Sequence, residues 1–127
     1  MKPGDALPPL ERTITITDMV AYAGATWDWH RLHYDREYLD EAGLPKPVVD
    51  GQALGALMAE QIQDALGPRA RLSRLSFRFK AMVFAGDTVR VEASVTAAEG
   101  AEIALEQRVL VGDRVAATGS ARARLGA

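Results

Sequence analysis

The sequence contains no cysteine, and this absence excludes several kinds of chemistry at once. Without a thiol the chain forms no disulfide, offers no thiolate nucleophile and builds no cysteine-ligated zinc site. Chains without disulfides are typical of reducing compartments. We therefore expect a cytoplasmic protein.

The sequence also lacks a dominant charge and a long apolar run. It has 15 Lys and Arg against 17 Asp and Glu, a formal net charge of -2, and the basic residues are dispersed. Its most apolar helical stretch, ALGALMA at 53–59, is far too short to cross a bilayer. We expect neither nucleic acid nor a membrane as a partner.

The length and composition fit one globular domain. A chain of 127 residues buries roughly two thirds of the surface that its unfolded form exposes. Hydrophobic residues make up 48% of the chain and charged residues 25%, which is typical of globular proteins. No internal repeat, low-complexity segment or linker divides it, so we predict a single domain over 1–127.

The first half of the chain predicts one strand and three helices. The first part of the longest helix, GQALGALMA, carries no charge on any side, so we expect it to be enclosed. The predicted elements are a strand over 10–16, a helix over 19–25 capped by Thr17 and Asp18, a short helix over 36–43 that follows Asp35 and ends at Gly43, and the longer helix over 51–66.

From Arg71 onward, apolar and polar residues alternate with a period of two. Turn residues at 86–87, 100 and 112–113 separate four such segments, which predicts an antiparallel meander of four strands. One enclosed helix and a sheet to wrap it indicate an α+β fold with the sheet curled around the helix. So small a sheet leaves a face or edge to cover, which favours a dimer.

The stretch TWDWHRLHYD at 26–35 holds both tryptophans and both histidines of the chain. On a helix Asp28 and His33 would lie about 140° apart, so they converge only if the segment turns. A carboxylate and an imidazole aimed at one point can hold a water and move protons near neutral pH. The alternative is a loop cap at Asp28 and a hydrogen-bonded core histidine at His33.

The stretch VVDG at 48–51 leads into the long helix. A helix N-terminus presents unpaired amides, and Gly51 there would let a carbonyl oxygen approach closely, as in an oxyanion hole. Asp50 and Gly51 are equally ordinary as an N-cap and a first-turn residue. This motif alone leaves both interpretations open.

Two further groups have competing interpretations. His30 and His33, with Asp28 and Asp35 nearby, resemble metal ligands in spacing, but the chain has no third histidine and no cysteine, so we expect no metal. Arg31 either reaches a phosphate of coenzyme A or pairs with a neighbouring carboxylate such as Asp35, and the ion pair is favoured.

Three ordered motifs resemble the hot-dog-fold enoyl-thioester hydratases and dehydratases of the MaoC-like, or (R)-specific hydratase, group. They are Asp-x-x-x-Leu-His ending at His33, Pro-Val-Val-x-Gly ending at Gly51, and FRFKAMVFAGDTV from Phe77. The resemblance runs over about residues 10–125. HRLHYD followed by REYL is similar to the 3-hydroxyacyl-thioester dehydratase branch.

The resemblance implies a hot-dog domain whose dyad, Asp28 and His33, grips a water that adds to Cβ of a trans-2-enoyl thioester. It implies that the Gly51 amide binds the thioester oxygen and that no metal or redox cofactor takes part. Asp50 stands where the family commonly has a histidine, and we expect it near the substrate. Trp27 and Arg31 are the other substrate-binding candidates, with Trp27 helping to keep the dyad dry.

The resemblance also implies the partners and leaves two alternatives. The substrate would be a thioester of coenzyme A or of acyl carrier protein, and the assembly a homodimer or a heteromer with a related hot-dog chain. One alternative is a hot-dog thioesterase that uses a helix carboxylate such as Glu60, although Glu60 more simply begins the solvated part of the helix. The other is a non-catalytic subunit of a heteromeric dehydratase.

Overall fold

The computed structural model describes residues Met1–Gly126, so Ala127, the last residue of the predicted domain, lies outside the described residues. Among residues 1–126, no helix is both long and apolar enough to span a membrane. The elements are β1 (Leu10–Thr13), α1 (Ile16–Thr26), a short 3-10 helix (Arg31–His33), α2 (Arg36–Ala42), α3 (Gly51–Leu66), β2 (Arg71–Phe79), β3 (Thr88–Glu99), β4 (Glu102–Val111) and β5 (Arg114–Arg124).

The five strands form one antiparallel sheet in the order β1-β3-β4-β5-β2. The predicted meander is therefore right for β3, β4 and β5 but wrong for β2, which pairs with β5 at the far edge. The reason is that β1 already occupies the free edge of β3, from Leu10 opposite Val91 to Thr13 opposite Thr88.

Helix α3 packs on one face of this sheet and supplies the centre of the core. Its buried side chains Leu54, Met58 and Ile62 recur every four residues, so they form one stripe along the helix. Two clusters of buried valine, leucine and alanine from β3, β4 and β5 pack against that stripe. The predicted α+β architecture, a sheet curled around one central helix, is confirmed.

The prediction that the uncharged half of α3 is enclosed on all sides is wrong. Leu54 and Met58 are buried, but Ala56 is exposed, and Ala53 and Leu57 are only partly covered. No sheet covers that side of the helix. It forms a wall of a cavity instead, which is described below.

Two glycines bring α3 close to β2. A Cβ atom at Gly51 would collide with the ring of Phe79, and one at Gly55 would collide with the ring of Phe77. The two rings lie edge to face, with their centroids 5.6 Å apart. These contacts hold the N-terminus of α3 against the sheet, so Gly51 makes room for a protein ring.

The helix ends follow local hydrogen bonding. Helices α2 and α3 begin after the predicted caps Asp35 and Asp50, and Gly43 ends α2 as predicted. The start of α1 differs from the prediction: Thr15 is its cap, accepting from the Asp18 N–H at 3.1 Å, while the Thr15 N–H donates to the Asp18 carboxylate at 2.9 Å. This reciprocal capping box starts the helix three residues early and shortens β1.

Candidate active site

The segment between α1 and α3 turns sharply, as the convergence of Asp28 and His33 requires. Trp27 ends α1 in the left-handed conformation, with φ of 60°. His30 then caps the 3-10 helix, its Nδ1 accepting a hydrogen bond from the Leu32 N–H at 3.1 Å. These two turns bring the His33 imidazole back to within 3.5 Å of the Asp28 carboxylate.

The His33 ring is held in one orientation. Its Nδ1 lies 2.6 Å from the Val48 carbonyl oxygen, and because a carbonyl only accepts, Nδ1 carries the proton and donates it. The other nitrogen, Nε2, faces Asp28 at 3.5 Å and Asp50 at 3.9 Å. In the neutral ring Nε2 therefore has a lone pair available to take a proton.

Asp50 is the less exposed member of the carboxyl pair. One of its oxygens caps α3 by accepting from the Gln52 N–H at 2.9 Å, and the other faces His33. Burial raises the pKa of Asp50, and a hydrogen bond shared with Asp28 raises it further. Asp50 is therefore the carboxyl group of this pair that keeps a proton more readily.

Asp28 has the opposite tendency. The hydrogen bond from Asp50, followed by one from the His30 N–H, holds the pKa of Asp28 below its ordinary value. Its side chain is 41% exposed, against 14% for that of Asp50. The two pKa shifts have opposite directions, so a proton taken up by this pair resides preferentially on Asp50, the less exposed of the two groups.

A cavity of about 290 Å³ lies between α1 and α3 and begins at His33 and Asp50. His33 and Asp50 line one end of it, whereas Asp28 contacts them from the solvent side. The cavity can therefore hold an apolar chain whose end reaches His33 and Asp50. Its apolar wall includes Ile14, Met19, Ala23, Val49, Ala53 and Leu57.

Tyr22 also lines the cavity, and the sequence interpretation missed it. Burial, and then the charges of Asp50 and Asp28, raise the pKa of its hydroxyl group. It shares one face of α1 with Met19 and Ala23, an i, i+3, i+4 spacing that was visible in the sequence. The amphipathic pattern of α1 was the signal that could have found it.

Glu60 does not simply begin a solvated part of α3. It lines the far end of the cavity, where its carboxylate contacts the Arg12 guanidinium at 2.9 Å. It follows Asp50 by ten residues on the same helix, which corresponds to about 15 Å along the axis. The cavity therefore has charged groups at both ends.

The remaining candidates lie outside the cavity. Trp27 is 79% exposed and Trp29 is 45% exposed, so neither indole encloses the Asp28–His33 pair. Arg31 donates to Asp35 at 2.7 Å and stacks over the Tyr38 ring, as the ion-pair alternative anticipated. Trp27 and Arg31 are therefore candidates only for contacts with parts of a substrate that lie outside the cavity.

Gly51 begins α3 next to Asp50 but is not part of the cavity wall. Within residues 1–126 its backbone N–H has no hydrogen-bond acceptor. A free amide at a helix N-terminus is the kind of donor that an oxyanion hole uses.

Asp28, His33 and Asp50 also form a possible metal-ligand set. One ligand atom from each lies within 4.8 Å of the others, giving two carboxylate oxygens and one imidazole nitrogen. The set suggested by sequence spacing is not assembled, because His30 Nδ1 accepts from Leu32 and Asp35 pairs with Arg31. Asp50 takes the place of these two residues.

Comparison with known sequences gives one family and two informative relatives. Residues 2–119 match the family described as MaoC like domain. A mitochondrial 3-hydroxyacyl-[acyl-carrier-protein] dehydratase of Arabidopsis thaliana is 33% identical over 89 residues, which are 70% of this chain and 52% of that protein. An (R)-specific enoyl-CoA hydratase of Aeromonas caviae is 31% identical over 120 residues, which are 91% of this chain and 90% of that protein. The chain thus spans about half the length of the plant relative and most of the bacterial one.

Solved structures share the same architecture. The (R)-hydratase of A. caviae involved in PHA biosynthesis superposes with a TM-score of 0.91 at 27% identity, covering 98% of this chain and 97% of that one. The ChsH1-ChsH2 complex of Mycobacterium tuberculosis contains a chain with a TM-score of 0.90 at 24% identity, covering 97% of both. Since the family match covers most of the sequence, the chain belongs to the MaoC-like domain family and has its hot-dog fold.

Proposed function

We propose that the chain is a hydratase and dehydratase that interconverts trans-2-enoyl and (R)-3-hydroxyacyl thioesters. One observation carries the proposal: an imidazole nitrogen faces two carboxyl groups at the end of an apolar cavity. Such a site can bind an acyl chain in the cavity and move protons at its first carbons, Cα and Cβ, beside the imidazole and the carboxyl groups. The relatives named as an (R)-specific enoyl-CoA hydratase and a 3-hydroxyacyl dehydratase support it.

The proposed hydration uses His33 as the base and the Asp28–Asp50 pair as the acid. His33 Nε2 takes a proton from a water molecule while the oxygen of that water bonds to Cβ. The electron pair of the Cα=Cβ bond moves to Cα, which receives a proton held by Asp50. His33 then returns its proton to the carboxyl pair, so one water is added and the enzyme is unchanged. Dehydration is the reverse.

Gly51 is proposed to stabilise the negative charge that develops on the thioester oxygen. Its free N–H lies at the N-terminus of α3, where the partial positive charge of the helix favours an anion. Losing one such donor typically lowers turnover by roughly 10²- to 10³-fold. The helix thus positions both Asp50 and the proposed oxyanion donor.

Two alternatives have less support from the geometry. A thioesterase that relies on Glu60 would need this carboxylate beside the carbonyl, but Glu60 contacts Arg12 at the far end of the cavity. A purely structural subunit has no use for an imidazole oriented by Val48 toward two carboxyl groups.

We propose that the thioester carrier is coenzyme A and that the 127 residues form one domain of a dimer. The relative named as an enoyl-CoA hydratase is matched over 90% of its length, whereas the one named for acyl carrier protein is matched over 52%. Large apolar side chains are exposed on α1 and at or just after the end of β2, namely Ile16, Val20, Phe79 and Met82. A partner of the same or a related hot-dog chain would cover such residues, and two structures that share the fold, ChsH1-ChsH2 and HadBC, are complexes. A cytoplasmic location stays a prediction.

The test is an assay of the purified protein with trans-2-enoyl-CoA esters in the presence of EDTA. We expect loss of enoyl absorbance without release of free thiol, and an (R)-3-hydroxyacyl product. Thiol release without loss of the enoyl group would establish the thioesterase alternative. Activity that appears only after a related hot-dog chain is added, and that is kept when Asp28 and His33 of this chain are replaced, would establish the non-catalytic subunit. Light scattering of the same sample measures the assembly, and a monomer would contradict the proposed dimer.

A further inference from the structure

The end of the cavity opposite His33 and Asp50 is built from an ion pair between distant parts of the chain. Arg12 on β1 and Glu60 on α3 both line the cavity, and they are 48 positions apart in sequence. The guanidinium contacts the carboxylate twice, at 2.9 Å and 3.4 Å. The pair therefore ties β1 to α3 across this end of the cavity.

The ion pair lies between the cavity and the solvent. The two side chains are 44% and 38% exposed, yet the Oε2 atom of Glu60 is buried. Everything between this pair and Asp50 on the α3 wall is apolar, namely Ala53, Ala56 and Leu57. An apolar chain that reaches Leu57 meets this ion pair, and a longer chain would have to displace one charged side chain from its partner. The displacement has a cost because the Glu60 Oε2 atom is buried.

We propose that the Arg12–Glu60 ion pair sets the upper limit on acyl length, so that the substrates are short- and medium-chain thioesters. This inference rests on the proposed function, because it takes the cavity to be the acyl site. Arg12 and Glu60 are specificity-determining residues in this scheme, and they take no part in the proton transfers.

The dimensions of the cavity give the expected limit. The ten residues from Asp50 to Glu60 advance about 15 Å along the helix axis. An extended chain advances about 1.1–1.2 Å per bond, since three backbone bonds span 3.3–3.6 Å, so about 12 to 14 bonds fit in that length. The volume of about 290 Å³ holds about ten groups of the size of a water molecule, each about 30 Å³. Together the two estimates place the limit at about 10 to 14 carbons.

The test measures kcat/KM for trans-2-enoyl-CoA esters of increasing length, chosen on both sides of the expected limit. In the wild type we expect kcat/KM to fall by roughly tenfold or more between about 8 and about 16 carbons, the scale on which pockets discriminate by size. Arg12→Ala and Glu60→Ala should each reduce that fall to about threefold or less. The swapped variant, Arg12→Glu with Glu60→Arg, keeps the charges and the bulk and should restore the wild-type fall.

The matched control is Glu11→Ala. Glu11 precedes Arg12 on the same strand and also belongs to an ion pair, with Arg90 at 3.0 Å, but it is not part of the cavity wall. Its loss should leave the dependence on length as in the wild type. Thermal unfolding of each variant checks that it is folded.

A second measurement separates this inference from the proposed function. Calorimetry gives the Kd of saturated acyl-CoA esters of the same lengths and needs no turnover. If no enoyl ester is hydrated but the Kd values follow the expected length pattern, the hydratase proposal fails and the length limit stands. If the esters are hydrated but the wild type and both alanine variants accept about 16 carbons equally well, the length limit is overturned.

Discussion

Asp35 and Asp50 have the same local role in two neighbouring helices, yet their surroundings shift their pKa values in opposite directions. Each caps a helix by accepting from the backbone two residues ahead, at 3.1 Å for Asp35 and 2.9 Å for Asp50. Asp35 contacts Arg31 at 2.7 Å, and that hydrogen bond lowers its pKa. Burial and Asp28 raise the pKa of Asp50. The cap motif thus places a carboxyl group, and the groups around it decide the direction in which its pKa shifts.

The largest expected effect comes from removing the two neighbours that Asp50 has and Asp35 lacks. Asp28→Asn and His33→Ala should each lower kcat by roughly 10²- to 10⁴-fold, the usual range for general acid–base groups. Because the groups act as one unit, the double variant should be little worse than either single one. Steady-state kinetics with crotonyl-CoA measures all three variants.

These variants should still bind ligand, because the apolar wall of the cavity and the Gly51 amide are unchanged. Calorimetry with a saturated acyl-CoA is the control for binding. Turnover of Asp28→Asn close to that of the wild type would contradict the scheme and shift the acid–base work to His33 alone or to His30.

A smaller effect on kcat should distinguish the two helix caps when each is replaced by asparagine, in Asp50→Asn and Asp35→Asn. Asparagine caps a helix about as well as aspartate, so both variants keep the local structure. Only Asp50 faces the cavity, and we expect kcat to fall roughly 10²-fold for Asp50→Asn but to change less than about twofold for Asp35→Asn. Equal effects on kcat would show that helix capping, not proton transfer, explains the importance of Asp50.

The smallest effect is on the pH dependence of stability, and it has opposite signs at the two caps. The folded pKa of Asp50 is raised, so its stabilising contribution is present below about pH 4 and is lost as pH rises through the folded pKa. Asp28, His33 and Tyr22 face this group. Asp50→Asn should therefore gain stability relative to the wild type as pH rises above 4.

The folded pKa of Asp35 is lowered, so its contribution is present above about pH 4 and is lost as pH falls through the folded pKa. The deficit of Asp35→Asn relative to the wild type should shrink as pH falls below 4. Urea unfolding from pH 3 to 7 measures both variants. The same trend for both caps would refute the opposite pKa shifts.

Features that depend on a few consecutive residues were predictable from the sequence. The bounds of α3, the caps at Asp35 and Asp50 and the end of α2 at Gly43 all follow from side chains that bond to nearby backbone groups. The predicted start of α1 was wrong although it depends only on nearby residues, because Thr17 and Asp18 are also residue types that cap helices. The reciprocal bonds between Thr15 and Asp18 decide between the two positions.

The sequence by itself indicated the order of the main helices and strands, the curled α+β architecture and the resemblance to the MaoC-like family, and it required a turn if Asp28 and His33 were to converge. Only the tertiary structure decided that β2 lies beside β5, that the second Asp50 oxygen faces His33, and that Arg12 reaches Glu60. The physical reason is the range of the interactions involved. Caps and turns use hydrogen bonds between residues a few positions apart. The pairing of an edge strand, the contact of Asp50 with His33 and the Arg12–Glu60 ion pair instead depend on segments that meet only after the sheet has closed around α3.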